Sequence, residues 1–297
     1  MSPVRYDTSK TVFTIIAYTV VTGVTLLCIL PFLLIISGSL TDNSSIIREG
    51  YHLIPKAFSL RAYQTLLRYP QGILDAYRVT ILNTVIGTTV GLFFISMAGY
   101  ALQRKDFKYR NKLSFFIYFT TLFGGGLVPW FIMITRYMHL TDTFIVLIYP
   151  GLMTPFLIIL MKNFIGAAVP VEMIESAKMD GAGDFRIYRE IVLPLAVPGL
   201  ATIGLFLALN YWNDWFLSSL FITTPSKYTI QFYLYNMLNN YYFMTTMSQT
   251  GVSLPYKLPT ESVKMAMALI ATGPVVLFYP FAQKYFVKGL TVGAVKG

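Results

Sequence analysis

The chain has 297 residues, 55% of them hydrophobic and only 12% charged, with a net charge of +10. That balance lies above the apolar share and below the charged share of an ordinary soluble domain, and it points to lipid as the surroundings. One cysteine, Cys28, sits inside an apolar run, and His52 and His139 stand far apart and near no acidic cluster, which rules out a disulfide framework and argues against a metal site.

A helix needs about 20 apolar residues to cross the hydrocarbon layer, where every backbone polar group must be satisfied within the helix. Six stretches meet that requirement: Val12 to Ser37, Ile81 to Leu102, Leu113 to Thr135, Phe144 to Met161, Leu195 to Leu217 and Met265 to Tyr285. All are hydrophobic around the whole circumference, which predicts an all-α integral membrane protein forming one domain over residues 1–297. The first stretch follows Arg5 and Lys10 but exceeds the roughly 7 to 15 residues of a secretory core, so it reads as a retained anchor.

Placing the N-terminus in the cytoplasm puts fourteen of the 23 basic residues inside, among them the cluster Arg104, Lys105, Lys108, Arg110 and Lys112 between spans two and three. The bias favours both termini inside, and the surplus positive charge reads as topology rather than nucleic-acid binding. Three loops are long enough to carry function: an outer one from Gly38 to Thr80, an inner one from Lys162 to Pro194, and an outer one from Ser218 to Lys264. No internal repeat or flexible linker divides the chain.

The inner loop has a helical apolar pattern although it is too polar to span. Pro170 marks a helix start; Ile174, Ala177 and Lys178 then share one face with Glu175 beside it. Asp180 and Gly181 break this helix, because glycine takes positive φ at no steric cost, and a second helix starts near Asp184. Pro194 is expected to close the second helix and open span five. Composition alone is equally compatible with an amphipathic helix on the membrane surface.

The spacing of Glu175, Ser176 and Ala177, then Asp180, Gly181 and Ala182, then Ile191 to Pro194 closely resembles the EAA loop of binding-protein-dependent ABC importers, E-A-A-x-x-D-G-A followed by I-x-L-P. Ser176 in place of the usual alanine is the one departure. The resemblance implies a type I importer permease fold and coupling helices that sit in a cleft of the ATPase subunit, with Glu175, Ser176, Ala177, Asp180, Gly181, Ala182, Leu193 and Pro194 as coupling residues. It implies a second permease in a heterodimer, an ATPase dimer that holds ATP and Mg, and an extracytoplasmic solute-binding protein, with no cofactor on this chain. It places the chain as a multi-pass protein of the bacterial plasma membrane. The run from Tyr279 to Leu290 and the ending Gly293 to Gly297 are similar to the tail of MalG-type permeases, where the tail reaches the ATPase. Gly124 to Pro129 and Asn210 to Trp215 resemble a subgroup that imports oligosaccharides.

Asp214 is the ionisable side chain met within the six stretches before the terminal boundary of the last. Asn210, Asn213 and Asp214 fall at i, i+3 and i+4 of a predicted helix, with Trp212 and Trp215 flanking them. Amides, a carboxylate and aromatic rings suit sugar hydroxyls and C–H faces, which makes Asn210, Trp212, Asn213 and Asp214 the predicted substrate path; an interface belt of aromatics is the competing reading. Outer-loop aromatics from Gln231 to Asn236 and Tyr241 to Phe243 suit a protein contact. A secondary transporter of small polar solutes is the rival function, but the centres of the spans lack the acids that ion coupling uses. No P-loop and no nucleophile–base constellation occurs, so the chain is read as a transport subunit and not an enzyme.

Overall fold

The computed structural model describes the backbone of residues 8–68, 70–249 and 261–294, and the side chains of 10–68, 70–240 and 261–277. The helices, in chain order, are α1 (Thr8–Ser39), α2 (Asn43–Glu49), α3 (Arg61–Arg68), α4 (Gln71–Gln103), α5 (Arg110–Leu122), α6 (Leu127–Ile132), α7 (Phe144–Ile148), α8 (Pro155–Ala168), α9 (Val171–Met179), α10 (Asp184–Ile187), α11 (Leu193–Leu195), α12 (Val197–Trp212), α13 (Phe216–Phe221), α14 (Ile230–Gln249) and α15 (Glu261–Ala294). Contacts gather the chain into two compact units, one of Met1–Pro70 with Met237–Thr272 and the other of Gln71–Asn236 with Gly273–Gly297.

In the first unit α1 carries the first predicted span, and its apolar side chains are exposed along its length, Phe13 at 73% and Leu27 at 74%. Such a surface is stable only against lipid or another chain. The chain then folds back on itself. The Ser37 hydroxyl donates to the His52 carbonyl (2.6 Å) and the Tyr63 hydroxyl to Ser39 Oγ (2.8 Å). Asp42 caps α2 by accepting from the Ser44 N–H at 3.0 Å, which satisfies one of the donors a helix start leaves open. At the start of α15, Asn43 Oδ1 accepts from the Glu261 N–H (2.8 Å), and the Tyr51 hydroxyl donates to Glu261 (2.9 Å). The expected loop Gly38 to Thr80 therefore contains two helices, and α4 starts well before Ile81. Asp75 and Arg78 lower the hydropathy of its first turns and hide them from a search for apolar runs.

The core of the second unit lies where α4, α8 and α12 meet, among Ile95, Ile158, Met161, Ile165, Ile203, Leu207 and Tyr211. Without a strong hydrophobic drive between helices in lipid, close backbone approach becomes the main source of packing. A Cβ added to Gly99 would lie 2.9 Å from Met161 Cγ and 3.0 Å from the Lys162 nitrogen, so α4 and α8 touch almost backbone to backbone there. The Tyr211 ring fills the space between Gly87 and Gly151 in the same way, and its hydroxyl donates to the Ile148 carbonyl at 3.0 Å.

By length and composition α1 and α4 are each fit to cross a membrane unbroken, while the third and fourth predicted spans are bent pairs and the fifth is bent against the inner-loop segment that precedes it. The third turns by 112° between α5 and the segment Leu127–Tyr137. Gly126 adopts φ +85°, and the chain passes through Gly124 to Gly126 without a side chain to hold a helix. The fourth bends by 51° before Pro155, whose ring favours the extended backbone seen at Thr154 (φ −65°, ψ 117°). The fifth bends by 83° at Ala196, not at Pro194, which sits inside the short α11 beyond a π-helical stretch, Tyr188–Val192. The fifth span proper is thus α12, shorter at both ends than Leu195 to Leu217. The expected outer loop Ser218 to Lys264 is also partly helical, since the end of α13, all of α14 and the start of α15 fall within it. The sixth predicted span lies in α15; the side chains from residue 278 onward, including the MalG-like tail, lie outside the described residues, as do those of Tyr241 to Phe243.

Candidate functional site

The helix-turn-helix read from the inner loop is present. Helix α9 starts after Pro170 and ends at Met179; the Gly181 N–H donates to the Lys178 carbonyl (2.9 Å) and the Ala182 N–H to the Ala177 carbonyl (2.9 Å). Together with φ +81° at Gly181, these bonds make a Schellman ending, which turns the chain and satisfies the last carbonyls of α9. Ile174 and Ala177 pack on the core while Glu175, Ser176, Asp180 and Gly181 are exposed, so the face that Ile174 and Ala177 share points inward and, of the expected coupling residues, Ala177 is turned to the core. Ala182 and Leu193 are partly covered and Pro194 is exposed. Glu175 makes no ion pair among the described residues and borders a 280 Å³ cleft with Lys178 and Arg104.

A charged cluster lies beside this loop that residue spacing did not bring out. In the α4–α5 turn, Arg104 Nε donates to Asp106 Oδ1 (2.9 Å), and the same guanidinium pairs with Asp184, the first residue of α10. Lys178, in the last turn of α9, pairs with Asp106. Hydrogen bonds from Arg104 and then Lys178 hold the Asp106 carboxyl well below the usual carboxylate range. Arg104 was counted with the topology-setting charges and Lys178 with a helix face, and nothing in their sequence separation links them. Met179 is 88% exposed in the last turn of α9.

At the other end of α12, the helix stops at Trp212. Asn213 is its C-cap (φ −87°, ψ 3°) and Asp214 lies past it, so Asn210, Asn213 and Asp214 do not share one helical face as expected. They nevertheless line one open cleft of 440 Å³ with Leu209, Trp215 and Phe216. Asp214 Oδ1 accepts from the Leu217 N–H (3.2 Å) at the start of α13, while its buried Oδ2 has no hydrogen-bond partner among the described residues. Gln231 Nε2 lies 3.5 Å from Asn213 Oδ1, and the Trp215 ring stacks on Tyr235 at 4.7 Å. Trp212 departs from the predicted set: it turns toward Tyr77 (6.4 Å between ring centroids) and a separate apolar recess with Thr84 and Thr88. The reason is the helix end, which rotates Asn213 and Asp214 out of the α12 register and leaves Trp212 on the opposite side.

Long apolar helices, bent helix pairs apolar enough to span and a helix-turn-helix with an exposed polar face define the class: a helical integral membrane protein. The sequence profile of the binding-protein-dependent transport system inner membrane component family matches residues 91–292. The chain is similar to the polygalacturonan/rhamnogalacturonan transport system permease protein YtcP of Bacillus subtilis, 38% identical over 92% of this chain and 94% of that one. Protein LplC of the same organism is 37% identical over 93% and 92%, and its arabinooligosaccharides transport system permease protein AraQ is 28% identical over 92% of each. A solved bacterial ABC transporter involved in the import of the acidic polysaccharide alginate superposes with a TM-score of 0.81 at 29% identity, covering 96% of this chain and all of that one. The chain therefore belongs to the family of binding-protein-dependent transport system inner membrane components. It is a permease subunit of an ABC importer, a membrane component that works with a partner permease, a separate ATPase and a solute-binding protein.

Proposed function

We propose that the chain is one half of a heterodimeric permease that imports an oligosaccharide handed over by an extracytoplasmic binding protein, with both its termini in the cytoplasm. ATP and Mg belong to the ATPase dimer, and this chain holds no cofactor. The observation that carries the reading is the α9–α10 turn: the Schellman ending at Gly181 fixes a rigid knob whose outward residues, Glu175, Ser176, Asp180 and Gly181, are polar or small, while Ile174 and Ala177 tie it to the core. Small residues allow close approach to the ATPase and Glu175 offers a free charge to a basic partner. Ala182, Leu193 and Pro194 hold the return of the chain toward α12.

Relatives named for the transport of polygalacturonan/rhamnogalacturonan and of arabinooligosaccharides support the substrate class, and so does the α12–α13 cleft. Two amides, one carboxylate and an indole can meet sugar hydroxyls and ring faces, whereas among the described residues no basic side chain lines the cleft to meet a uronate. On this side of the pathway recognition is through hydroxyls; Trp212 supports the cleft wall from behind. The test is uptake by the assembled importer in proteoliposomes, with neutral and uronate oligosaccharides offered in parallel. Asn210→Ala and Asn213→Ala should each raise the half-saturating sugar concentration by about 3- to 10-fold, the worth of one hydrogen bond. Unchanged uptake curves at equal amounts of protein would return these residues to an interfacial belt.

A further inference from the structure

Lys178, Asp106, Arg104 and Asp184 form an unbroken chain of alternating charge that runs from the last turn of α9, through the α4–α5 turn, to the first residue of α10. It joins both helices of the coupling loop to the turn that follows one long helix. Below it the contact continues. The Arg104 guanidinium lies 5.7 Å from the Tyr100 ring centroid, Tyr100 lies 5.8 Å from the Tyr188 ring, and the Tyr188 hydroxyl is 2.7 Å from Ser96 Oγ. Ser96, Tyr100 and Arg104 are spaced by four, as are Asp184 and Tyr188, so one face of α4 is laid along one face of the second coupling helix.

Helix α4 has 33 residues, about 50 Å at 1.5 Å per residue. At its far end the Thr80 hydroxyl accepts from the Ile230 N–H (2.8 Å), Asn83 Nδ2 donates to the Tyr211 carbonyl (3.5 Å), and Tyr211 is the neighbour of Asn210 in the cleft. A displacement of the coupling loop thus has a continuous path to the cleft. Lys178, Asp106 and Asp184 are 35% to 65% exposed, so solvent screens their ends of the chain, while Arg104 at its centre is 13% exposed and anchored, an arrangement suited to fixing the relative position of three segments.

We propose that the Lys178–Asp106–Arg104–Asp184 chain is the transmission link that makes the coupling loop and α4 move as one body. The proposal rests on the coupling role of α9 and α10 and adds Arg104, Asp106, Lys178 and Asp184 as positioning residues outside the sequence motif.

The test uses the complete importer in proteoliposomes and reads ATP hydrolysed per sugar taken up. Asp106→Asn and Lys178→Met should each raise that ratio several-fold with the ATPase still co-purifying at the unmutated level, and Asp106→Glu and Lys178→Arg should restore it. An unchanged ratio in both neutral variants overturns the link. Loss of the assembled complex in both also overturns it, because the chain would then be part of the fold. Glu175→Lys is run alongside to separate the two ideas: if it leaves assembly and uptake intact, the coupling-loop reading fails first; if it abolishes them while Asp106→Asn keeps the normal ratio, only the transmission link is wrong.

Discussion

At the scale of single residues, two glycines and a tyrosine bear the most constraint. Gly181 occupies φ +81° with open space around its Cα, so an added side chain meets no neighbour and the cost is wholly in the backbone. Gly181→Ala should cost roughly 1–2 kcal/mol in the α9 ending. Gly181→Pro should do more, since it also removes the N–H that bonds to Lys178. Both variants are expected to remain in the membrane with reduced uptake, Pro more than Ala, as measured by transport at matched expression; equal uptake by all three forms would contradict the turn's role. Tyr211 presents the opposite case. A Cβ at Gly87 would lie 2.6 Å from the Tyr211 ring, so Gly87→Ala must push the ring or the helix aside. Overpacking of this kind costs about 1–3 kcal/mol, which should appear as a lower melting temperature of the purified complex.

Among the elements, helix α9 and its glycine turn could be read from spacing because a helical face, a proline start and a positive-φ glycine are local signals. The bend at Ala196 could not, because Pro194 offered the nearer proline and the π-helical stretch before it leaves no mark in hydropathy. Residues 124–126 were visible as a glycine run but lay inside an apolar stretch long enough to span, and length outweighed them. Helix α14 was missed since its amides and aromatics give it the look of a polar loop. The α12–α13 cleft was legible in its residues but not in its geometry: Asn210, Asn213 and Asp214 come together only because the helix ends between them. A long-range bond set such as that of Asp142 has no sequence signal at all. Its carboxylate accepts from the Thr224 hydroxyl (2.7 Å), the N–H groups of Thr223 (3.1 Å) and Thr224 (3.0 Å), and Lys227 (2.7 Å), fastening the segment before α7 to the one before α14. Lys227 first, then Thr224, holds the Asp142 carboxyl well below the usual range. A depressed acid stabilises the fold above its unfolded value near 4, and that contribution is lost as pH falls through the folded value. The protection factors of the amides in residues 222–229, taken against the intrinsic exchange rate at each pH, should therefore fall on acidification below about pH 4, and in Asp142→Asn they should be low already at neutral pH. Protection that does not change with pH would contradict the clasp.

For the whole molecule, the exposed apolar length of α1 describes a chain whose surface is covered by lipid or by another chain. Its role as a membrane subunit of an ABC importer follows from the family and from a fold shared over 96% of its length with a solved importer. On the proposed reading, movement enters at the α9–α10 knob and sugar is met at the α12–α13 cleft, with α4 and α12 packed between them. The central claim is that the ATPase engages this chain through Glu175 and its neighbours. It is tested most directly by co-purification of the tagged chain from its native membrane, with mass spectrometry of the recovered partners beside a Glu175→Lys form. The account predicts a second permease in both preparations and an ATPase only with the unmutated chain. Recovery of the ATPase in equal amount with Glu175→Lys would contradict it.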